Sequence, residues 1–147
     1  YSYEEFVLKQ YRKLSKNKIF QENYLNHGDL SFSNILYNNS FSIIDFDETV
    51  VTTGLYDFAV IVIKFYTFNG EFKRTRINTL VSKLLKINNY KFNDYILAIR
   101  FYLCKILLEK FYLYELGKID LYSANQLNDD YRIYLKLLKN IDSLRKE

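Results

Sequence analysis

The sequence predicts a mainly helical α+β domain with one small β-hairpin set into it, on three observations. Apolar residues recur at three- and four-residue spacing over several long stretches. Two short apolar runs, 35–37 and 41–44, flank a polar Asn38-Asn39-Ser40. That is the pattern of a hairpin whose turn exploits the tolerance of asparagine for left-handed backbone. Finally, 147 residues that are 49% hydrophobic suffice to bury one core, so a single domain over 1–147 is expected.

Taken in order, Ser2 followed by Glu5 is a capping-box signal. The run to about residue 15 reads as a helix with Val7, Tyr11 and Leu14 on one face. Residues 19–25 form a short mixed segment leading into a loop. Further on, 57–68 (DFAVIVIKFYTF) is almost wholly apolar. Its length and the position of Asp57 favour a buried helix, although the β-branched run 60–63 leaves a strand open. Asn69-Gly70 ends it. Helical spacing returns over 72–87 and 93–116, the second with Tyr95, Ile99, Tyr102, Ile106 and Tyr114 on or near one face. Gly117 is placed as its C-cap. A last helix, about 123–146, carries Tyr131, Tyr134, Leu135, Leu138 and Ile141 on one face.

Composition removes several function classes. Tyr (15) and Phe (12) are abundant while Pro, Trp and Met are absent. The abundant types have AT-rich codons, so the tyrosines are not read as a ligand cage. A chain without Met is expected to be processed, or part of something longer. No apolar run has the length of a membrane span. Cys104 sits in an apolar helical pattern, reads as a core residue, and fits a reducing cytoplasm. A net charge of +4 and a pI near 9.0 raise nucleic acid as a partner. The Lys and Arg residues are scattered, however, as on solvated helix faces. One His and one Cys cannot build a Cys/His zinc centre, and no G-x-S-x-G elbow presents a serine to His27. The glycines (28, 54, 70, 117) are too far apart for a G-x-G-x-x-G or Walker A loop.

One stretch concentrates chemistry. Residues 27–57, HGDLSFSNILYNNSFSIIDFDETVVTTGLYD, gather Asp29, Asp45, Asp47, Glu48 and Asp57 without one Lys or Arg. Such acids must be solvated, paired with residues elsewhere, or neutralised by cations. The hairpin would set Asn34 at its entrance and Asp45 at its exit, with Asp29 in the loop led by Gly28. Two carboxylates and a carboxamide at one mouth are oxygen ligands for a hard cation such as Mg²⁺. A glycosidase could use Asp29 and Asp45 as a pair, but that leaves Asn34 and residues 54–59 unexplained.

HGDLSFSN resembles the H-x-D-x-x-x-x-N catalytic loop of kinases. HGD followed by N-I-L and then I-I-D-F-D resembles the aminoglycoside phosphotransferase and choline kinase-like families. G-L-Y-D-F-A at 54–59 is similar to the Y-D-L-A element that opens the next helix there. The resemblance implies the C-terminal lobe of a protein kinase-like fold: catalytic loop 27–34, metal-binding hairpin 35–47, helical remainder 56–147. It implies a cytoplasmic, ATP- and Mg²⁺-dependent phosphotransferase acting on a small-molecule hydroxyl: aminoglycoside, choline-like alcohol, sugar or homoserine. Asp29 would be catalytic, orienting the hydroxyl and accepting its proton. Asn34 and Asp45 would hold Mg²⁺ and, through it, the nucleotide, with Asp47 as a further metal contact or support. His27 and Asp57 would brace the loop, and Glu48 would be solvated. Such kinases bind ATP beneath an N-terminal lobe, whereas 26 mostly helical residues precede His27. The resemblance therefore implies a lobe inactive by itself, completed by a missing N-terminal lobe or another chain. A catalytically inactive kinase-like module and a basic helical nucleic-acid binder are the competing classes.

Overall fold

Helix α4 (Phe92–Glu115) is the axis of the protein, because its first four turns are apolar on nearly every side. Tyr95, Ile99, Leu103 and Leu107, spaced by four, are fully buried, and Ala98, Phe101, Tyr102 and Cys104 fill the flanks. A helix apolar all round must be covered all round. The computed structural model describes residues 3–115 and 121–144, and in it α1 (Tyr3–Leu14), α2 (Tyr56–Phe65) and α5 (Leu121–Asn140) all pack against α4. Aromatic contacts tie the layers: Phe20 stacks on Phe101 at 4.3 Å, and Phe58 meets Tyr95 edge-on at 4.9 Å.

The β-branched run in 57–68 is helical. Ala59, Val60, Val62 and Ile63 are all buried, and burial on so broad a face overrides the modest helix penalty of branching. The helix stops at Phe65, three residues short of the expected end. There Asn69 (φ 51°) and Gly70 (φ 78°) turn the chain between β5 (Thr67–Phe68) and β6 (Glu71–Phe72). Asn-Gly is thus a hairpin turn rather than a simple helix stop, as its two left-handed residues allow.

The expected hairpin is present as β2 (Ile35–Tyr37) and β3 (Phe41–Ile43), antiparallel, with Leu36 opposite Ser42 and Asn39 at φ 59° in the turn. A third ribbon was not anticipated. β1 (Tyr24–Asn26) lies within the segment read as mixed, and it pairs antiparallel with β4 (Val50–Thr52). Three-residue strands are too short to show periodicity in sequence. The fold is therefore mainly helical α+β, with three two-stranded ribbons among the described residues instead of one.

Helix α3 (Arg74–Leu84) falls inside the expected 72–87. On α4, Tyr114 is exposed while Tyr95, Ile99 and Tyr102 are buried. On α5, which begins at Leu121, Leu135 and Leu138 are buried, as is Ile141 in the 3-10 turn Ile141–Ser143 that follows. The capping residue Ser2 and the C-cap Gly117 lie outside the described residues, whereas the last helix ends at Asn140, short of the expected 146, because a 3-10 turn follows it. Among those residues no helix is long and apolar enough to cross a membrane.

Burial pushes the Cys104 thiol up to about 12, so it carries almost no thiolate near neutrality. The folded protein should resist iodoacetamide at pH 8 and react stoichiometrically in denaturant, read by mass spectrometry. Rapid labelling of the folded chain would contradict the placement of α4 at the centre.

Candidate functional site

The site is assembled where β1 ends and α2 begins. Asn26, the last residue of β1, is buried. Its Nδ2 donates to the Thr53 carbonyl (3.0 Å), and its Oδ1 accepts the Asp57 N–H (3.2 Å). Asp57 answers with its carboxylate. Oδ2 accepts the His27 N–H at 2.8 Å and Oδ1 the Gly28 N–H at 2.9 Å. Asn26 thereby serves a free amide in the first turn of α2, and Asp57 serves two amides in the loop. The loop and the helix cap each other.

Gly28 has φ +89°, and a Cβ there would lie 1.8 Å from the Glu48 carbonyl oxygen. Only glycine accepts both the left-handed backbone and that approach. His27 is buried, and its ring makes two bonds. Nδ1 accepts the Asp29 N–H (3.2 Å), so the proton lies on Nε2, which donates to the Ile44 carbonyl (2.8 Å). The same ring lies 4.6 Å from that of Phe46. His27 thus grips the residues on either side of Asp45, and Asp45 itself sits at φ +61°. A non-glycine residue in that region stores strain that its surroundings must hold.

Asn34 closes the other side. It is buried, and Nδ2 donates to the Asp29 carbonyl oxygen at 2.9 Å and to Asp29 Oδ2 at 3.2 Å. Its backbone carbonyl accepts the Ile44 N–H at 3.0 Å. Asn34 therefore touches Asp29 through its side chain and the residue before Asp45 through its backbone, and its Oδ1 is left for another donor or a cation. Asp45, Asp47 and Glu48 are exposed. Among the described residues no three His, Cys, Asp or Glu side chains form a metal cluster.

Lys64 was not anticipated, because it lies outside the motif stretch. Its ammonium pairs with Asp29 Oδ1. The geometry follows from α2: Asp57 and Lys64 are seven residues apart, roughly 10 Å along one helix face. A lysine side chain also leans back toward the helix N-terminus. Phe65 meets Phe32 edge-on at 4.2 Å, so residues 27–32 run along α2 from Asp57 to Phe65. Helix spacing alone could have flagged Lys64, had the loop been known to lie there. Asn26 carried a weaker signal, as a polar residue immediately before His27.

Comparison with protein-family models, with characterised protein sequences and with solved structures finds no match.

Asp57→Ala should leave the amides of His27 and Gly28 without their acceptors, at a cost of about 2–4 kcal/mol by urea unfolding. Fast amide exchange should be confined at first to residues 27–29. Asp57→Asn retains one acceptor and should cost less. Gly28→Ala should destabilise by about 1–3 kcal/mol through the same loop. Unchanged unfolding midpoints for both alanine variants would contradict this bracing.

Proposed function

We propose that the protein is the catalytic C-terminal lobe of a kinase-like phosphotransferase that acts on the hydroxyl of a small molecule. The observation that carries this reading is the bonded pair of Asn34 and Asp29, set beside the backbone that leads into Asp45. Asn34 is bonded to Asp29 and to the residue before Asp45, while His27 and Asp57 hold the backbone between them. The order of these residues and their bracing match what phosphoryl transfer requires of a protein, namely fixed positions around a transferring group.

In this reading Asp29 orients the acceptor hydroxyl. The acceptor oxygen bonds to the γ-phosphorus of ATP, the bond to the β-phosphate bridging oxygen breaks, ADP leaves, and the acceptor proton passes to Asp29. The donors fit Mg²⁺: Asn34 Oδ1 and the Asp45 carboxylate are hard oxygens, and Mg²⁺ takes few protein ligands beside phosphate and water. When bound, Mg²⁺ neutralises charge on the nucleotide phosphates. Asp47 serves as a further contact on that side. The cytoplasm, where ATP and Mg²⁺ meet and Cys104 stays reduced, is the compartment this chemistry implies.

A second body belongs over the hairpin. Tyr37 and Phe41 are 70% and 76% exposed, and Leu36, Ile43, Ile44 and Phe46 are exposed beside them. So much open apolar surface on one ribbon supports an N-terminal lobe, or another chain, that covers it and brings phosphate-binding amides and a Lys. The 147-residue chain alone should turn over no acceptor at ordinary kinase rates. In the complete assembly Asp29→Asn should lower kcat on the order of 10²–10⁴-fold with nucleotide affinity nearly unchanged. Retained turnover would reject the role of Asp29. The ion pair of Asp29 with Lys64 favours a second reading, an inactive kinase-like binding module. Absence of Mg²⁺-ATP turnover in the complete assembly, for every acceptor class named above, would establish that alternative.

A further inference from the structure

Residues 27–34 contain no Lys or Arg, yet Asp29 has a cation. Lys64 arrives from α2 and pairs with Oδ1, while Oδ2 is engaged by Asn34. The Lys64 and Asp29 side chains are 33% and 35% exposed, so the pair lies where an incoming molecule meets Asp29. A further cation lies on α4. Lys105 of α4 donates to the Tyr56 hydroxyl at 2.7 Å, and Glu109 Oε1 lies 3.4 Å from the same ammonium. Tyr56 packs edge-on to Tyr102 at 5.4 Å. Burial raises the pKa of the Tyr102 hydroxyl, and the neighbouring Tyr56 adds to the effect. Burial of Lys105 favours its neutral form, but Tyr56 and Glu109 outweigh it and keep the ammonium charged.

We propose that Lys64 is the specificity-determining residue on the acceptor side, and that the acceptor is an anionic hydroxyl compound carrying a carboxylate or phosphate group. This rests on the phosphotransferase reading above and narrows it. An aminoglycoside or choline would bring its own cation to Asp29. There the Lys64 ammonium repels it and occupies the carboxylate oxygen that would attract it. An anionic acceptor instead gains Lys64 as a partner. The ammonium is a point charge on a flexible stem, so it can turn from Oδ1 to the acceptor anion. That frees Oδ1 to take the O–H. The pair keeps Asp29 compensated when the site is empty and exchanges that compensation for acceptor binding.

The test uses the full chain, isotopically labelled and followed by NMR without nucleotide. Glycerate and glycerol 3-phosphate serve as anionic probes, glycerol as a neutral one and choline as a cationic one. The anionic probes should shift the amide signals of Gly28, Asp29 and Lys64 at concentrations where choline does not. Lys64→Met should weaken the anionic probes about tenfold, and Lys64→Glu should invert the order of anion and cation. Dispersed spectra establish that both variants are folded. The inference is overturned if no anionic probe shifts these signals, if choline binds there as tightly, or if Lys64→Met leaves the ratio unchanged. A phosphorylation assay on the complete assembly separates the two claims. Binding of an anionic probe through Lys64 in an assembly that phosphorylates no acceptor of any class supports the charge preference and removes the phosphotransferase reading. Preferential phosphorylation of choline leaves that reading standing and removes the inference.

Discussion

Two backbone N–H groups, those of His27 and Gly28, lie in a bend too sharp for either to find a partner in a strand or helix. The Asp57 carboxylate accepts both, and every other feature of the site depends on that. With Gly28 held at φ +89°, Asp29 follows in a fixed direction and its N–H reaches His27 Nδ1. His27 in turn reaches Ile44, and Asn34 closes the ring from Asp29 back to Ile44. The charge of Asp57 is suited to this place for two reasons. Hydrogen bonds to an ionised acceptor are the stronger kind, and a carboxylate in the first turn of α2 faces the positive end of the helix.

The core and the site are built on opposite terms. Around α4 the protein excludes water: Val60, Ile77, Val81, Ile99 and Leu103 are fully buried. At the hairpin, apolar residues stand open, and two non-glycine residues, Asn39 and Asp45, hold left-handed backbone. That region is joined to α2 through the loop before it, by the contacts of His27 and Gly28 with Asp57 and of Asp29 with Lys64. That suits the role proposed for this surface, which presents oxygen atoms to a ligand beneath a covering body. Of the three short ribbons among the described residues, the hairpin of β2 and β3 leaves its side chains largely open, whereas the ribbon of β1 and β4 buries Asn26 and Thr52.

The sequence made the helices and the central hairpin legible, because both follow from local rules: apolar spacing for α1 to α5, and Asn-Asn-Ser between apolar runs for β2 and β3. Residues Asp29, Asn34, Asp45 and Asp57 stood out in the sequence because their spacing makes a motif, and the bonds of Asn34 to Asp29 and of Asp57 to the loop before it follow that spacing. What escaped was non-local. The pairing of Tyr24 with Thr52 joins residues 28 apart in strands too short to show a pattern. Asn26 and Lys64 escaped because their significance lies in which residue faces them across a fold. The Asn69-Gly70 turn was visible, but its position after an apolar helix made it read as a terminator instead of a hairpin.

The central claim is that Asn34 and Asp45 form a divalent-cation site beside Asp29, and Mn²⁺ tests it directly. Mn²⁺ shares the oxygen preference of Mg²⁺, and its paramagnetism broadens nearby NMR signals. At substoichiometric Mn²⁺ the account predicts that the amide signals of Asn34, Ile44, Asp45 and Phe46 broaden first. Excess Mg²⁺ should restore them, and Asp45→Asn should abolish the effect while leaving the rest of the spectrum intact. Broadening centred on other acids such as Asp129 and Asp130, or undiminished in Asp45→Asn, would contradict it.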